Sequence, residues 1–329
     1  MEASDLYLRG RYFWNQLSAV TTKRAMEYYA RATEHDPEYA LAWSGMADAY
    51  SASPINADQS PIQVWPLVRD AVAHATASGF NLPEVQNSLG LFKFWLDWDW
   101  VAAEAAFRKS IALDPSYSLA HRFLGIVLSH MARHEEAALA IRQARDLDPF
   151  NATNHALSAQ AAFAAHDYSG AVQFAEQAIA IDPEFWIGYI QLAQVYEQLG
   201  NTDLALNALK NAGRFSGGNS KAIALRGYIC AKLGRTKEAH EVLSTLEAVS
   251  REGYVPPYET ALVPVGSANT IRPWTGWNGP TTRTTCIGSL LQWIQNGILC
   301  EPMSVSLISL GAAALQHGHS RHGEKRKAA

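Results

Sequence analysis

The chain has 329 residues, of which 48% are hydrophobic and 18% are charged, and its formal net charge is −4. This charge argues against a polyanion-binding domain, which normally carries a strong basic excess on one face. No apolar run reaches the ~20 residues of a membrane helix, and residues 1–5 do not resemble a signal peptide, so we expect a cytoplasmic protein that binds neither membrane nor nucleic acid through this part.

The N-terminal residues predict paired helices. Ala25, Tyr29 and Ala32 recur at a helical spacing and mark one helix, and residues 43–50 mark the first helix of the next pair. The segment SASPINADQSPIQVWP, residues 51–66, interrupts this pattern. We interpret it as an insertion that lengthens the turn of that pair.

Aromatic residues are concentrated near two of the predicted helices, and we expect most of them to lie in the core. They are Tyr7, Tyr12, Phe13 and Trp14 in the first group and Phe92, Phe94 and Trp95 in the second. A different hypothesis treats the aromatic insertion around Trp65 as a small-molecule sensor site.

Residues 97–100 read Asp-Trp-Asp-Trp at a predicted turn between two helices. Two nearby carboxylates could indicate acid–base chemistry. We favour a structural role, in which Asp99 caps a helix that starts near Trp100 and Trp98 and Trp100 fill the gap between units.

A period of 34 residues governs the rest of the helical region. Small residues recur where two helices must approach closely, and proline recurs just past a helix end, where it cannot continue the helix. The columns are Ala103, Ala137, Ala171, Ala205 and Ala239; Pro115, Pro149, Pro183 and Gly217; and Gly125, Ala159, Ala193 and Gly227.

These columns resemble the tetratricopeptide repeat (TPR) family, in which about 34 residues encode one helix-turn-helix unit. The clearest copies are residues 116–149 and 184–217, and the resemblance covers roughly residues 5–266. It implies an all-α fold, a TPR solenoid with a right-handed superhelix. We expect residues 1–266 to hold about six to seven helix pairs.

The repeat pattern stops after Gly266, and residues 267–329 hold only two acidic but six basic residues. If one nucleotide is lost near that codon, the shifted frame reads LGEYDQALDWLERAYD from Ser267, which restores an amphipathic helix with repeat spacing. We therefore expect residues 267–329 to be an out-of-frame, irregular C-terminal tail. Its cluster at His317, His319 and His322 is not interpreted as a metal site. The alternative is an authentic, atypical cap.

No constellation of residues indicates catalysis, so we expect a non-enzymatic protein without cofactor or metal. His134-Glu135-Glu136 lacks the second histidine of a zinc protease motif and is interpreted as a solvated turn between helices. The three cysteines, Cys230, Cys286 and Cys300, are scattered and predict neither a disulfide framework nor a zinc site.

The resemblance implies a binding protein, because first helices line the concave face of a TPR superhelix and form a groove for a peptide or helix. The lysine and asparagine set by which some relatives bind a C-terminal carboxylate is not matched. By register, the candidate partner-binding residues are Arg122, Ile126, His130, Gln160, Phe163, Ile190, Gln194, Glu197, Tyr228 and Lys232.

Segments such as SDLYLRGRYFWNQ, DWDW and GYVPPYETALV resemble a group of bacterial multidomain regulators. In that group a C-terminal TPR array follows a winged-helix DNA-binding domain, a nucleotide cyclase or a serine/threonine kinase. This resemblance implies that an effector domain is missing from the chain. Two functions stay open: a protein-interaction scaffold, or the regulatory half of a transcriptional regulator or signalling enzyme, whose partner is its own effector domain.

Overall fold

The structure is a computed structural model and describes residues 2–266. The predicted tail, 267–329, with its histidine cluster and two of the three cysteines of the chain, lies outside the described residues. Every regular element in the described part is an α-helix. The helices are α1 (Ala3–Trp14), α2 (Ala19–His35), α3 (Ala40–Asn56), α4 (Pro61–Gly79), α5 (Pro83–Trp95), α6 (Trp100–Leu113), α7 (Ser118–His130), α8 (His134–Leu147), α9 (Ala152–Ala164), α10 (Tyr168–Ile181), α11 (Trp186–Gln198), α12 (Thr202–Phe215), α13 (Ser220–Lys232), α14 (Thr236–Glu252) and α15 (Pro257–Gly266).

Consecutive helices pack as seven antiparallel pairs, α1/α2 to α13/α14, and α15 packs against α13. From α1 to α11, each first helix of a pair also contacts the next first helix, whereas no comparable contact joins second helices within residues 2–266. First helices therefore form the inner, concave layer of the array. The prediction of an all-α helix-turn-helix solenoid is confirmed.

The periodic small residues lie where paired helices touch. Ala103, Ala137 and Ala171 are at most 1% exposed. At Gly90, an added Cβ atom would stand 2.5 Å from Cε1 of Phe107, which lies on the second helix of the same pair. A larger side chain at such a position would overpack the contact, so the period encodes close helix approach.

The insertion at residues 51–66 lengthens helices rather than a turn, so the prediction of a longer turn is wrong. Helix α3 continues to Asn56 and α4 begins at Pro61. Proline is favoured in the first turn of a helix, because its missing N–H would be unpaired there in any case. The turn itself is residues 57–60 only.

The Asp-Trp-Asp-Trp segment caps a helix as predicted. Asp99 Oδ1 accepts a hydrogen bond from the backbone N–H of Ala102 at 3.0 Å. Trp100 packs against the core formed by α5 to α8. Trp98, however, has a φ of +58° and is 44% exposed, so only one of the two tryptophans fills the gap between units.

The segment at His134 was predicted to be a solvated turn, and it is instead the first turn of α8. The carboxylate of Glu136 lies 2.6 Å from Arg133 and 3.5 Å from Arg108. Negative side chains are favourable at a helix N-terminus. These acidic residues therefore stabilise the start of α8, and Glu136 also pairs with two neighbouring arginines.

Pairs five places apart in the array also touch, at two places that we call the gyre contacts. In the first, the indole Nε1 of Trp186 at the start of α11 donates to the backbone oxygen of Leu17, in the α1–α2 turn, at 3.0 Å. In the second, Asp58 in the α3–α4 turn accepts hydrogen bonds from Ser220 at the start of α13. Successive turns of the superhelix are thus in direct contact.

Candidate functional site

The concave face is defined by the residues that lie beside the small positions of the first helices. Gly90 of α5 faces Phe107, and Gly125 of α7 faces Ile141 in the same way, so the two glycines are equivalent. Asn87 and Arg122 each precede their glycine by three residues. They therefore occupy the same position on the concave side of two successive pairs.

The ten candidate residues are more buried than an open groove would require. Six are buried, three are half-buried and one is exposed. The buried ones are Arg122, Ile126, Phe163, Ile190, Gln194 and Tyr228, the half-buried ones are His130, Gln160 and Glu197, and Lys232 is exposed. Whether they contact a partner stays a prediction.

Arg122 is a buried guanidinium that is held mainly by amides. Its Nη1 donates to Oδ1 of Asn154 at 3.2 Å and to Oδ1 of Asn151 at 3.4 Å. Asn154 is itself fixed, because its amide donates to the backbone oxygens of Ala144 and Asp148 at 3.0 Å each. Burial lowers the pKa of Arg122 to about 10, since a charged group is disfavoured away from water.

A buried ion pair occupies the N-terminal part of the concave layer. Arg11 Nη1 lies 3.1 Å from Asp48 Oδ2, and their side chains are 17% and 2% exposed. The hydroxyl of Ser88 donates to Asp48 Oδ1 at 2.5 Å. Burial raises the pKa of Asp48 to about 6 despite the opposing effects of Arg11 and Ser88. Three helices, α1, α3 and α5, are joined through this carboxylate.

Other candidate residues contact their own neighbours. Lys232 and Glu197 form an ion pair between α13 and α11. His130 lies edge-on to Phe94, with ring centroids 5.0 Å apart, and its Nδ1 is 2.8 Å from the backbone oxygen of Ile126. These side chains are therefore positioned by the array itself.

Three concave side chains carry buried polar atoms with no hydrogen-bond partner among the described residues. Both amide atoms of Asn87, Nε of Arg122 and Nε2 of Gln194 are in this state. The residues themselves are 0%, 3% and 7% exposed. Buried polar groups in folded proteins are nearly always paired. Unpaired polar atoms also occur elsewhere in the described residues, at Trp14 Nε1 and Thr22 Oγ1, so this state is not confined to the concave side chains.

Asn87 was missed by the sequence analysis, and so were Arg11 and Asp48. Counting 34 residues back from Arg122 leads to Ser88 rather than Asn87, because the equivalent glycines Gly90 and Gly125 are 35 residues apart. Anchoring the register on the glycines rather than on the period would have found Asn87.

Trp65, the centre of the small-molecule hypothesis, links α4 to the α5–α6 turn through a hydrogen bond. Its indole Nε1 donates to Asp97 Oδ1 at 2.9 Å, and Arg69 lies over its ring at 4.8 Å. The one polar atom of this side chain is already bonded, which leaves it no free group to recognise a metabolite.

A cavity of about 660 Å³ lies between α6, α7 and α8 and contains none of the ten candidate residues. Leu124, Leu128 and Leu139 form much of its apolar lining, and Arg108 and Glu136 lie at its polar side. These two charges already pair with each other. The cavity therefore lacks the convergent free polar groups that mark a ligand site.

No group of three or more His, Cys, Asp or Glu side chains is arranged to hold a metal ion within residues 2–266. In the same part of the chain, no helix has the length and apolar character needed to cross a lipid bilayer.

Comparison with known proteins supports the repeat assignment. Residues 162–214 match the family model described as "Tetratricopeptide repeat". No curated protein sequence matches the chain. A tetratricopeptide repeat protein from Parabacteroides merdae superposes with a TM-score of 0.52 at 13% identity, over 81% of this chain and 99% of its own. A chain of the APC/C hetero-tetramer Cut9–Hcn1 gives 0.50 at 19% identity, over 68% of this chain and 46% of its own, so the match spans about half of that protein. At these identities the likeness concerns the fold alone.

Proposed function

We propose that the chain is a non-catalytic protein-interaction module that binds an extended peptide segment of a partner along its concave face. The observation that supports this is the unmet hydrogen bonding of Asn87, Arg122 and Gln194. TPR arrays commonly present their concave surface to other proteins. A peptide in extended conformation brings free backbone N–H and C=O groups at regular intervals, which is the chemistry that these side chains lack.

The polar side chains are distributed over consecutive first helices. Asn87 is on α5, Arg122 on α7, Gln160 on α9 and Gln194 on α11. An amide side chain can both donate and accept a hydrogen bond, whereas a guanidinium only donates. Polar side chains placed on consecutive first helices can therefore hydrogen-bond to one peptide along several pairs. The apolar candidates Ile126, Phe163 and Ile190 supply the contacts between these polar positions.

Replacing Asn87 with leucine is expected to weaken peptide binding while stabilising the free protein. Leucine has nearly the same shape but no polar atoms, and a buried unpaired group costs about 1–3 kcal/mol. The free energy of unfolding should therefore rise by about that amount. Peptides are first selected from a random decapeptide library on the immobilised full chain, and their affinity for each variant is then measured by titration calorimetry. We expect a loss of about tenfold.

Gln194→Met tests the same surface on another helix, and Gln173→Met is the matched control. Gln173 is exposed on α10, a second helix. The selected peptides should bind the control like the wild type. If Asn87→Leu and Gln194→Met retained full affinity, or if the library yielded no binder, the concave surface would not be a peptide site.

A second candidate function is regulation of an effector domain in the same protein. The observation in favour is the exposed apolar surface of α1, where Leu8 is 61% and Tyr12 65% exposed. Contiguous exposed apolar residues often mark a contact with another domain. We expect an open reading frame upstream of the codon for Met1 to encode a DNA-binding, cyclase or kinase domain. An in-frame stop codon directly upstream would exclude this function.

A further inference from the structure

The two gyre contacts are specific rather than loose packing. Leu17 is 8% exposed and lies in a cluster with Ala156, Ala178 and Phe185. Asp58 Oδ2 accepts from the backbone N–H of Ser220 at 3.0 Å, and Oδ1 accepts from the Ser220 hydroxyl at 2.7 Å. The carboxylate of one pair thus caps a helix that belongs to another pair, more than 160 residues later in the chain.

Both contacts are made by residues of the turns inside helix pairs. Leu17 has a φ of +51° and Asp58 a φ of +46°. The turns of the other pairs share this geometry, with a positive φ at Trp98, Ala132 and His166. The conformation therefore belongs to the turn itself, and the two gyre contacts use groups that the turn already presents.

The same closed arrangement leaves polar atoms unsatisfied on the concave face. Asn87, Arg122 and Gln194 would gain water or a partner if the pairs moved apart. Favourable gyre contacts therefore oppose an unfavourable burial of polar groups. Opposing contributions of this kind allow the array to have two states, one closed and one with the pairs further apart.

We propose that the gyre contacts form a latch that holds the superhelix closed, and that its opening gives a peptide access to the concave face. Opening separates Leu17 from Trp186 and Asp58 from Ser220, so the superhelix can lengthen. The role of the latch in binding rests on the proposed peptide-binding function, although the latch itself can be measured without any peptide.

The latch is tested with Asp58→Ala, for which Asp167→Ala is the matched control. Asp167 caps α10 within its own pair, through a bond from the N–H of Gly170 at 2.9 Å, and makes no gyre contact. We expect Asp58→Ala to speed amide hydrogen exchange around Leu17 and Trp186, which Asp58 does not touch. The radius of gyration from small-angle scattering should also increase. Asp167→Ala should change exchange in α10 only.

Leu17→Ala provides a second variant at the other contact: it keeps the backbone oxygen that accepts from Trp186 but removes the side chain that packs on Ala156, Ala178 and Phe185. It should speed exchange around Ser220, with far-UV circular dichroism unchanged. If each variant altered exchange only beside its own substitution and left the radius of gyration at the wild-type value, the contacts would be independent surface interactions and the latch would be refuted.

The link to function is measured with a library-selected peptide. A peptide that requires the open state should bind Asp58→Ala about tenfold more tightly than the wild type, because the population cost of opening is removed. Equal affinity would overturn the coupling. If no peptide is selected but Asp58→Ala opens the array, the latch stands and the proposed function fails, so the two failures are distinguishable.

Discussion

Replacing Phe107 with alanine is expected to lower the free energy of unfolding by about 3–5 kcal/mol. Phe107 is fully buried between the helices of its pair. It fills the space that Gly90 leaves open and stacks on Phe123 of the next pair, with ring centroids 6.0 Å apart. Alanine would leave a cavity that the glycine opposite cannot fill. Both the pair and its interface with the next pair would lose contacts.

Phe150→Ala is the matched control, because Phe150 is 84% exposed and the chemical change is identical. Urea denaturation followed by circular dichroism measures both variants. The stability of a repeat array is approximately a sum of pairs and nearest-neighbour interfaces, so hydrogen exchange should show the loss first in α5 to α8. Similar shifts in the two denaturation midpoints would contradict the role given to Phe107.

The repeating part of the fold could be predicted because its causes are local. Ala137 and Ile141 recur on one face of α8, and both pack against Gly125 of the preceding helix. A period of 34 residues therefore determines which residues meet within a pair. The same reasoning identified Asp99 as a cap, since a cap is a contact three residues away along the chain.

The gyre contacts could not be predicted from the period. Whether Leu17 meets Trp186 depends on the pitch of the superhelix, which is the accumulated result of a small rotation between each pair and the next. Errors in that rotation add up over five pairs. The residues at the contact, a leucine and an aspartate in turns, are also unremarkable in the sequence.

The surroundings of the candidate residues could not be predicted from the sequence. Register places Ile126, Gln194 and Tyr228 on the concave side, yet it does not show how closely first helices approach each other there. All three are buried. Asn87 was missed for a simpler reason. The repeat between Gly90 and Gly125 has one residue more than the period of 34, so Asn87 does not align with Arg122 when the period is counted.

Replacing Arg11 with methionine is expected to cost about 3–5 kcal/mol at pH 8, because it leaves the buried carboxylate of Asp48 without its cation. The guanidinium carbon of Arg11 also lies over the Trp14 ring, 4.5 Å from its centroid, and methionine keeps only the apolar stem. The change therefore removes the charge together with its contact to that ring. Chemical denaturation of wild type and variant at pH 8 gives the difference in the free energy of unfolding.

The cost should shrink as the pH falls. Burial already raises the pKa of Asp48 from 3.8 to about 6 in the wild type, and without Arg11 it should rise further. Between the unfolded and folded pKa values the native state binds more protons than the unfolded state, so stability decreases as pH rises through about 4 to 6. Across this pH range the free energy of unfolding falls by on the order of 3 kcal/mol. In Arg11→Met the pH range over which stability falls extends to higher pH.

The double variant Arg11→Met/Asp48→Asn separates charge from packing. Asparagine still accepts the hydrogen bond from Ser88 but carries no charge, and replacing both members of a buried ion pair is often close to neutral. We therefore expect the double variant to recover most of the stability lost by Arg11→Met at pH 8 and to lack the dependence on pH between 4 and 6. If the double variant were as unstable as Arg11→Met, the cost would come from lost packing around α1. The pair would then not be the electrostatic link between α1, α3 and α5.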